Sequence, residues 1–251
     1  MRTYLLKLRR ILLSILVPEL YWPKSVNING AEIAIRNEPF SFGTKWILKK
    51  KNYEGAEINL VSKILKGGES ILEMGTSIGV LTRVMSKLVG EKGKIITIEC
   101  NEDLYNSCLR WSKQNTNVQL IRGYGFPIFS APTDLTIEGY SDDLGSLGSR
   151  VDFSLQGSDT ANNEYIYDIE TIEKRFNFAP SVLVVDVEGS EEIILNQNFT
   201  LPNYIKYIII ELHSGMYLHK LESQNSIIQA IKNAGFELIE KIADSYLFER
   251  R

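Results

Sequence analysis

Thiols and imidazoles are scarce in this chain: 251 residues contain two cysteines and two histidines. Cys100 and Cys108 form no Cys-x-x-Cys pair and have no histidine at ligand spacing, which leaves no basis for a disulfide framework or a zinc site built on them. Reduced thiols are those of a cytoplasmic protein. Long apolar runs are missing too. The uncharged stretch Ile11–Val17 falls far short of the roughly 20 residues that span a bilayer, and the Pro18-Glu19-Leu20 that follows is no signal-peptide cleavage site. With no internal repeat and no low-complexity tract, solenoid and linker architectures also drop out.

What the chain does have is an ordinary globular composition, 44% apolar and 24% charged, enough for a core that needs no staple. The net charge of −3 is unevenly spread: residues 1–51 hold ten Lys and Arg against three acids, leaving the remainder acidic by ten charges. An acidic body lacks the basic surface that replaces phosphate counterions, so no nucleic-acid partner is expected. The basic segment 1–17, with Leu5, Leu6, Leu12, Leu13 and Leu16, reads as an amphipathic helix. It can pack on its own domain, join two copies into a homo-oligomer, or make peripheral contact with a membrane.

A β-hairpin is expected over residues 24–40, turning at Asn29-Gly30. This hairpin and the helix form an extension, residues 1–50. Residues 51–251 read as one α/β domain. Its first helix carries Leu60, Val61 and Ile64 and stops at Gly67-Gly68. Short apolar runs then alternate with helical patterns: strands at 70–74, 94–98, 118–121, 182–185 and 207–212, and helices at 78–88, 103–113, 191–195 and 226–234. Such alternation specifies a doubly wound, mostly parallel, Rossmann-like sheet covered on both faces. Two closing strands, 236–240 and 246–249, have too short a link for a helix and must pair antiparallel. Residues 123–150 break the rhythm with five glycines and two prolines, and we expect a loop inserted there to cover a substrate.

Chemistry concentrates at Ile71-Leu72-Glu73-Met74-Gly75-Thr76-Ser77-Ile78-Gly79. A buried strand ends in an acid, turns at Gly75, and enters a helix whose free N–H groups carry a positive dipole end. Glu99 ends the next strand, 20 residues after Gly79, where a carboxylate can accept hydrogen bonds from ribose hydroxyls. A dinucleotide fingerprint starting at Gly75 needs glycines at 77 and 80; Ser77 and Val80 stand there, which disfavours a nicotinamide oxidoreductase. Glu73 suits a cationic sulfonium better than a pyrophosphate. Asp186, Glu188, Glu211 and His213 fall at or just beyond the ends of two strands, the edge where such sheets bind ligands. Glu191 and Glu192 read as first-turn acids that complement a helix dipole.

ILEMGTSIGVLT resembles the first motif of class I S-adenosylmethionine-dependent methyltransferases. Val184-Val185-Asp186-Val187-Glu188-Gly189-Ser190-Glu191, followed by Ile194-Leu195, resembles the D-V-E-G-x-E signature of the FkbM-type members. Tyr53-Glu54, Asp168–Ile172 and Ile210-Glu211-Leu212-His213 fit the same family, and the resemblance covers about residues 50–250. It implies a seven-stranded sheet with a reversed last strand, and S-adenosyl-L-methionine as cofactor with S-adenosyl-L-homocysteine as product. It also implies methyl transfer to hydroxyls of sugars, glycans or other small natural products. The cofactor set is then Glu54, Glu73, Gly75, Thr76, Ser77, Gly79, Glu99 and Asp186; the catalytic set is Asp186, Glu188, Glu211 and His213. A divalent metal is not expected, as no compact metal motif is present. The rival is a catalytically silent scaffold of the same fold.

Overall fold

The computed structural model describes residues 17–38, 40–132, 135–142, 149–154, 165–196, 199–213 and 221–251. The amphipathic segment expected over 1–17 lies, except for Val17, outside the described residues, as does His219. The elements run β1 (Ser25–Ile28), β2 (Ala31–Ala34), α1 (Phe42–Lys49), α2 (Gly55–Ile64), β3 (Ser70–Met74), α3 (Val80–Val89), β4 (Lys94–Glu99), α4 (Glu102–Ser112) and β5 (Val118–Arg122). After these come β6 (Tyr124–Gly125), β7 (Thr136–Asp142), β8 (Ser149–Ser154), β9 (Ile166–Tyr167), α5 (Ile169–Phe176) and β10 (Val182–Val185). A 3-10 helix (Ser190–Asn196), β11 (Tyr207–Glu211), α6 (Leu221–Asn233), β12 (Phe236–Ile242) and β13 (Ser245–Arg250) complete the chain.

Seven strands form one sheet in the order β12-β13-β11-β10-β3-β4-β5. The five strands from β11 to β5 are parallel, and β13 runs antiparallel between β11 and β12. This is the seven-stranded, doubly wound sheet with a reversed last strand. Period two along each strand divides its side chains between two cores. Leu72, Met74, Ile96, Ile98, Leu183, Val185, Ile208 and Ile210 face one apolar cluster. Ile71, Ile95, Val182, Val184 and Ile209 face the other. Runs such as Val182–Val185 are apolar without alternation because both faces are covered.

The hairpin β1–β2 turns where expected, with Asn29 and Gly30 both at positive φ. It does not stand apart from the domain: Trp22, Ile28, Ile33 and Leu48 are buried in the same cluster as Ile71 and Val84. Helix α1 was not anticipated. Ser41 starts it, its hydroxyl accepting from Thr44 N–H, but the outward face carries Trp46 and Ile47, which blurs the apolar stripe. The helix expected at 191–195 forms as a 3-10 helix.

The segment 123–150 differs more. It is not a structureless loop: β6 pairs in parallel with β9, and β7 pairs with β8 as an antiparallel hairpin whose second strand ends at Ser154, beyond the expected boundary. Residues 143–148, including Gly145, Gly148 and Asp143, lie outside the described residues. Strand β8 rests against the 3-10 helix 190–196.

Strands β3 and β10 meet at the point where chain order across the sheet reverses. Asp186 N–H donates to Met74 O at 2.9 Å, and Gly75 N–H to Ile98 O at 3.0 Å. Gly75 has φ +96°, and a Cβ there would overlap the carbonyl oxygen of Asp186. Gly75→Ala should therefore cost about 3 kcal/mol or more, combining left-handed strain with a backbone clash. Gly30→Ala, at φ +86° with nothing within 4 Å of its Cβ, should cost about 1–2 kcal/mol. Denaturant midpoints of the two variants measure the difference; equal losses would count against the close approach at Gly75.

Candidate active site

The turn from Gly75 to Gly79 hangs from β4. Gly75 and Thr76 both donate to Ile98 O, and Gly79 N–H closes the turn onto Thr76 O at 2.8 Å. Ser77 is held at φ +51°. Its N–H donates to Glu99 Oε2 at 2.7 Å, while Glu99 Oε1 accepts from Asn101 N–H at 2.8 Å. Thr76 and Thr97 share a buried hydroxyl contact of 2.6 Å. From the preceding segment, Tyr53 Oη meets Ser77 Oγ at 2.9 Å, and Glu54 Oε2 accepts from Leu81 N–H at 2.8 Å. Glu54 thus caps α3 from outside the helix, satisfying one of its free donors.

Below this turn opens a cavity of about 620 Å³, counted with its mouth, lined by Tyr53, Gly75, Ser77, Glu99, Tyr124, Asp186 and Glu188 among others. Gly75, Ser77, Glu99, Asp186 and Glu188 were expected at the site and stand in its wall. Thr76, Gly79 and Glu54 shape the turn from behind. Glu73 is placed otherwise than expected: its carboxylate does not line the cavity but is buried, with Oε2 accepting from Thr82 Oγ1 at 2.6 Å and Oε1 left without a partner. Strand alternation turns it toward α3. Sequence reasoning did not assign Tyr53, Cys100 or Tyr124 to the cavity wall, because aromatic and thiol side chains beside a turn carry no signature of their own.

Asp186 and Glu188 in the cavity wall meet two strand-end residues that do not line it, Glu211 and His213. His213 Nε2 lies 3.5 Å from Asp186 Oδ1, 3.5 Å from Glu188 Oε2 and 3.8 Å from Glu211 Oε1. Its Nδ1 is 3.0 Å from Glu191 Oε1. Glu191, read as a dipole acid, is fully buried and orients this imidazole, its other oxygen accepting from Gly189 N–H. The available signal was the second glutamate of D-V-E-G-x-E. Glu192 instead accepts from Ser223 Oγ. Burial opposes a charged His213, but the Glu191 hydrogen bond and the charges of Glu191, Asp186 and Glu188 outweigh it and push its pKa to about 10. Burial, Glu211 and Glu188 hold Asp186 well above the ordinary aspartate value, against the pull of His213. Glu211 rises to about 7, chiefly by burial. Asp186, Glu211 and His213 each offer a ligand atom within 4.8 Å of one another, a donor set that could accept a divalent cation.

A family model for protein-L-isoaspartate (D-aspartate) O-methyltransferase matches residues 27–133. That stretch holds the turn and Glu99, not the D-V-E-G-x-E segment. Among solved structures, the chain is similar to Aeropyrum pernix fibrillarin in complex with S-adenosyl-L-methionine, at 16% identity and TM-score 0.45, covering 74% of this chain and 68% of that one. An Aquifex aeolicus SAM-dependent methyltransferase gives 16%, 0.38, 77% and 87% in the same terms. A TehB-like SAM-dependent methyltransferase from Corynebacterium glutamicum gives 11%, 0.43, 84% and 96%. At such values the likenesses add nothing to the architecture already described. No curated protein matches the chain.

The buried acids make stability depend on pH. Burial raises Glu73 and Glu99 from 4.5 to about 7. Between those values the folded state binds more protons than the unfolded one, so stability falls as pH rises through the window, and His213, raised from 6.5 to about 10, continues the fall above it. The melting temperature of the ligand-free protein should drop between about pH 4.5 and 7. Glu73→Gln should flatten the slope; an unchanged slope would mean that this carboxyl is already ionised in the fold.

Proposed function

We propose that the protein is an S-adenosylmethionine-dependent O-methyltransferase acting on a hydroxyl of a sugar, glycan or other small natural product. The observation that carries the cofactor is the acidic lining of the cavity. Glu99, Asp186 and Glu188 stand in its wall, and among the described residues no lysine or arginine pairs with them. Burial of a carboxylate without a partner is costly, and a ligand carrying a sulfonium and an ammonium favours the ionised form there. The glycine turn admits such a ligand close to the backbone, and Glu99 is positioned for ribose hydroxyls. The FkbM-type signature at 184–195 supports a hydroxyl acceptor.

Methyl transfer from sulfur is an in-line displacement, so alignment carries most of the catalysis. The acceptor's proton goes to Asp186, a base strengthened by its burial and acidic neighbours. His213, held as an imidazolium by Glu191, keeps that carboxylate in place and offsets part of its charge. Four carboxylates around the acceptor end, Asp186, Glu188, Glu191 and Glu211, repel polyanions and favour a neutral acceptor. No metal is needed for this route.

Calorimetry should show binding of S-adenosyl-L-homocysteine and none of NAD. Glu99→Gln should weaken it by about 1.5–3 kcal/mol, as for a hydrogen bond to a charged group. Asp186→Asn should cut turnover about 10²–10⁴-fold with little change in cofactor affinity. Labelled cofactor offered with saccharides, RNA and protein identifies the acceptor class by where the label goes. Full activity in Asp186→Asn, or abolition of activity by a chelator, would overturn the metal-free base. Cofactor binding with no transfer to any acceptor would favour the silent scaffold.

A further inference from the structure

The described residues leave an apolar and basic face uncovered on the N-terminal part of the chain. Of the eight large hydrophobic residues exposed among the described ones, four gather here: Leu20 is 80% exposed, Tyr21 50%, Trp46 40% and Ile47 43%. They form one surface. Tyr21 packs edge-on against Trp22, Trp22 against Phe42, and Phe42 stacks on Trp46 at 6.2 Å between centroids. Lysines border it: Lys49 Nζ sits 3.8 Å over the Tyr21 ring, and Lys50 Nζ 5.2 Å over Trp46. Glu19, an acid of this region, is already bound to Lys45 at 2.6 Å.

We propose that this face docks on an anionic lipid bilayer. Exposed aliphatic side chains beside amphipathic aromatic rings, edged by lysines, suit the boundary between acyl chains and acidic headgroups. Charge decides against two other occupants. Residues 1–16 hold Arg2, Lys7, Arg9 and Arg10 and no acid, so seating them on a lysine-bordered face sets like charges together. A second copy of the same face meets the same repulsion. The face is instead drawn to a negative surface. Leu20 and Ile47 have no ring to stack on a base, which favours lipid over single-stranded RNA.

The test is co-sedimentation of the full chain with vesicles of phosphatidylcholine alone and of phosphatidylcholine mixed with phosphatidylserine. Binding should require phosphatidylserine and weaken as salt rises. Trp46→Ser/Ile47→Ser and Lys49→Gln/Lys50→Gln should each lower the partition coefficient by on the order of 10-fold. Their melting temperatures should stay near that of the parent, since these side chains face solvent. Removing residues 1–16 should leave weaker binding that Trp46→Ser/Ile47→Ser then abolishes. Absence of binding to mixed vesicles would overturn the proposal. So would double variants that bind like the parent, or displacement from vesicles by single-stranded RNA that binds more tightly.

Discussion

The site rests on the absence of a side chain at position 75. Strands β3 and β10 are neighbours in the sheet although more than a hundred residues separate them in sequence, and their ends can close together only if Gly75 presents bare backbone to Asp186. That contact joins the two chemical halves of the cavity. On one side stands the turn with Ser77 and Glu99; on the other, the Asp186–His213 cluster. A wider gap between the strands would leave each half intact and separate the two groups. Position 75 is thus a condition on geometry before it is a condition on binding.

The electrostatics follow from that closeness. Bringing two strand ends and a helix N-terminus together places many carboxyl groups in one poorly hydrated volume. The ligand-free fold tolerates this by holding protons on Glu73, Glu99 and Glu211 near neutrality, and by charging His213. Glu54 spends its carboxylate on the N-terminus of α3, where the helix dipole offsets the cost of its burial. Acids packed this closely would be a liability in a purely structural core.

Much of this was legible in the sequence, for reasons that can be named. β-branched runs such as Val182–Val185 leave no polar face, so a sheet covered on both sides follows from them directly. Ser77 and Val80 disfavour a dinucleotide turn because the pyrophosphate fingerprint has glycine there. Position along a strand, however, does not say which face a terminal acid takes: Glu73 is the last but one residue of β3 and Glu99 the last of β4, yet one is buried against Thr82 and the other reaches the cavity. The role of Glu191 was hidden because an acid in a first helical turn has a sufficient local explanation. Helix α1 escaped notice because Trp46 and Ile47, on its outer face, disguise the side that packs. The hairpin β7–β8 escaped because glycine, serine and aspartate there mimic a loop.

The way that hairpin is attached has a consequence for the history of such a chain. The segment leaves the body at β6 and returns at β9, two residues each, paired side by side and secured by Phe126 N–H donating to Tyr167 O at 3.0 Å. Gly123 and Gly125 let this junction press against Tyr167 and Met74. Phe126, Ile128 and Leu135 anchor the stem in the core, and the hairpin β7–β8 beyond them is a graft on it. Because the entropy of closing a loop grows only with the logarithm of its length, the graft can be lengthened, shortened or exchanged at little thermodynamic cost. Relatives that keep the stem could therefore diverge in what they accept while inheriting one unaltered sheet.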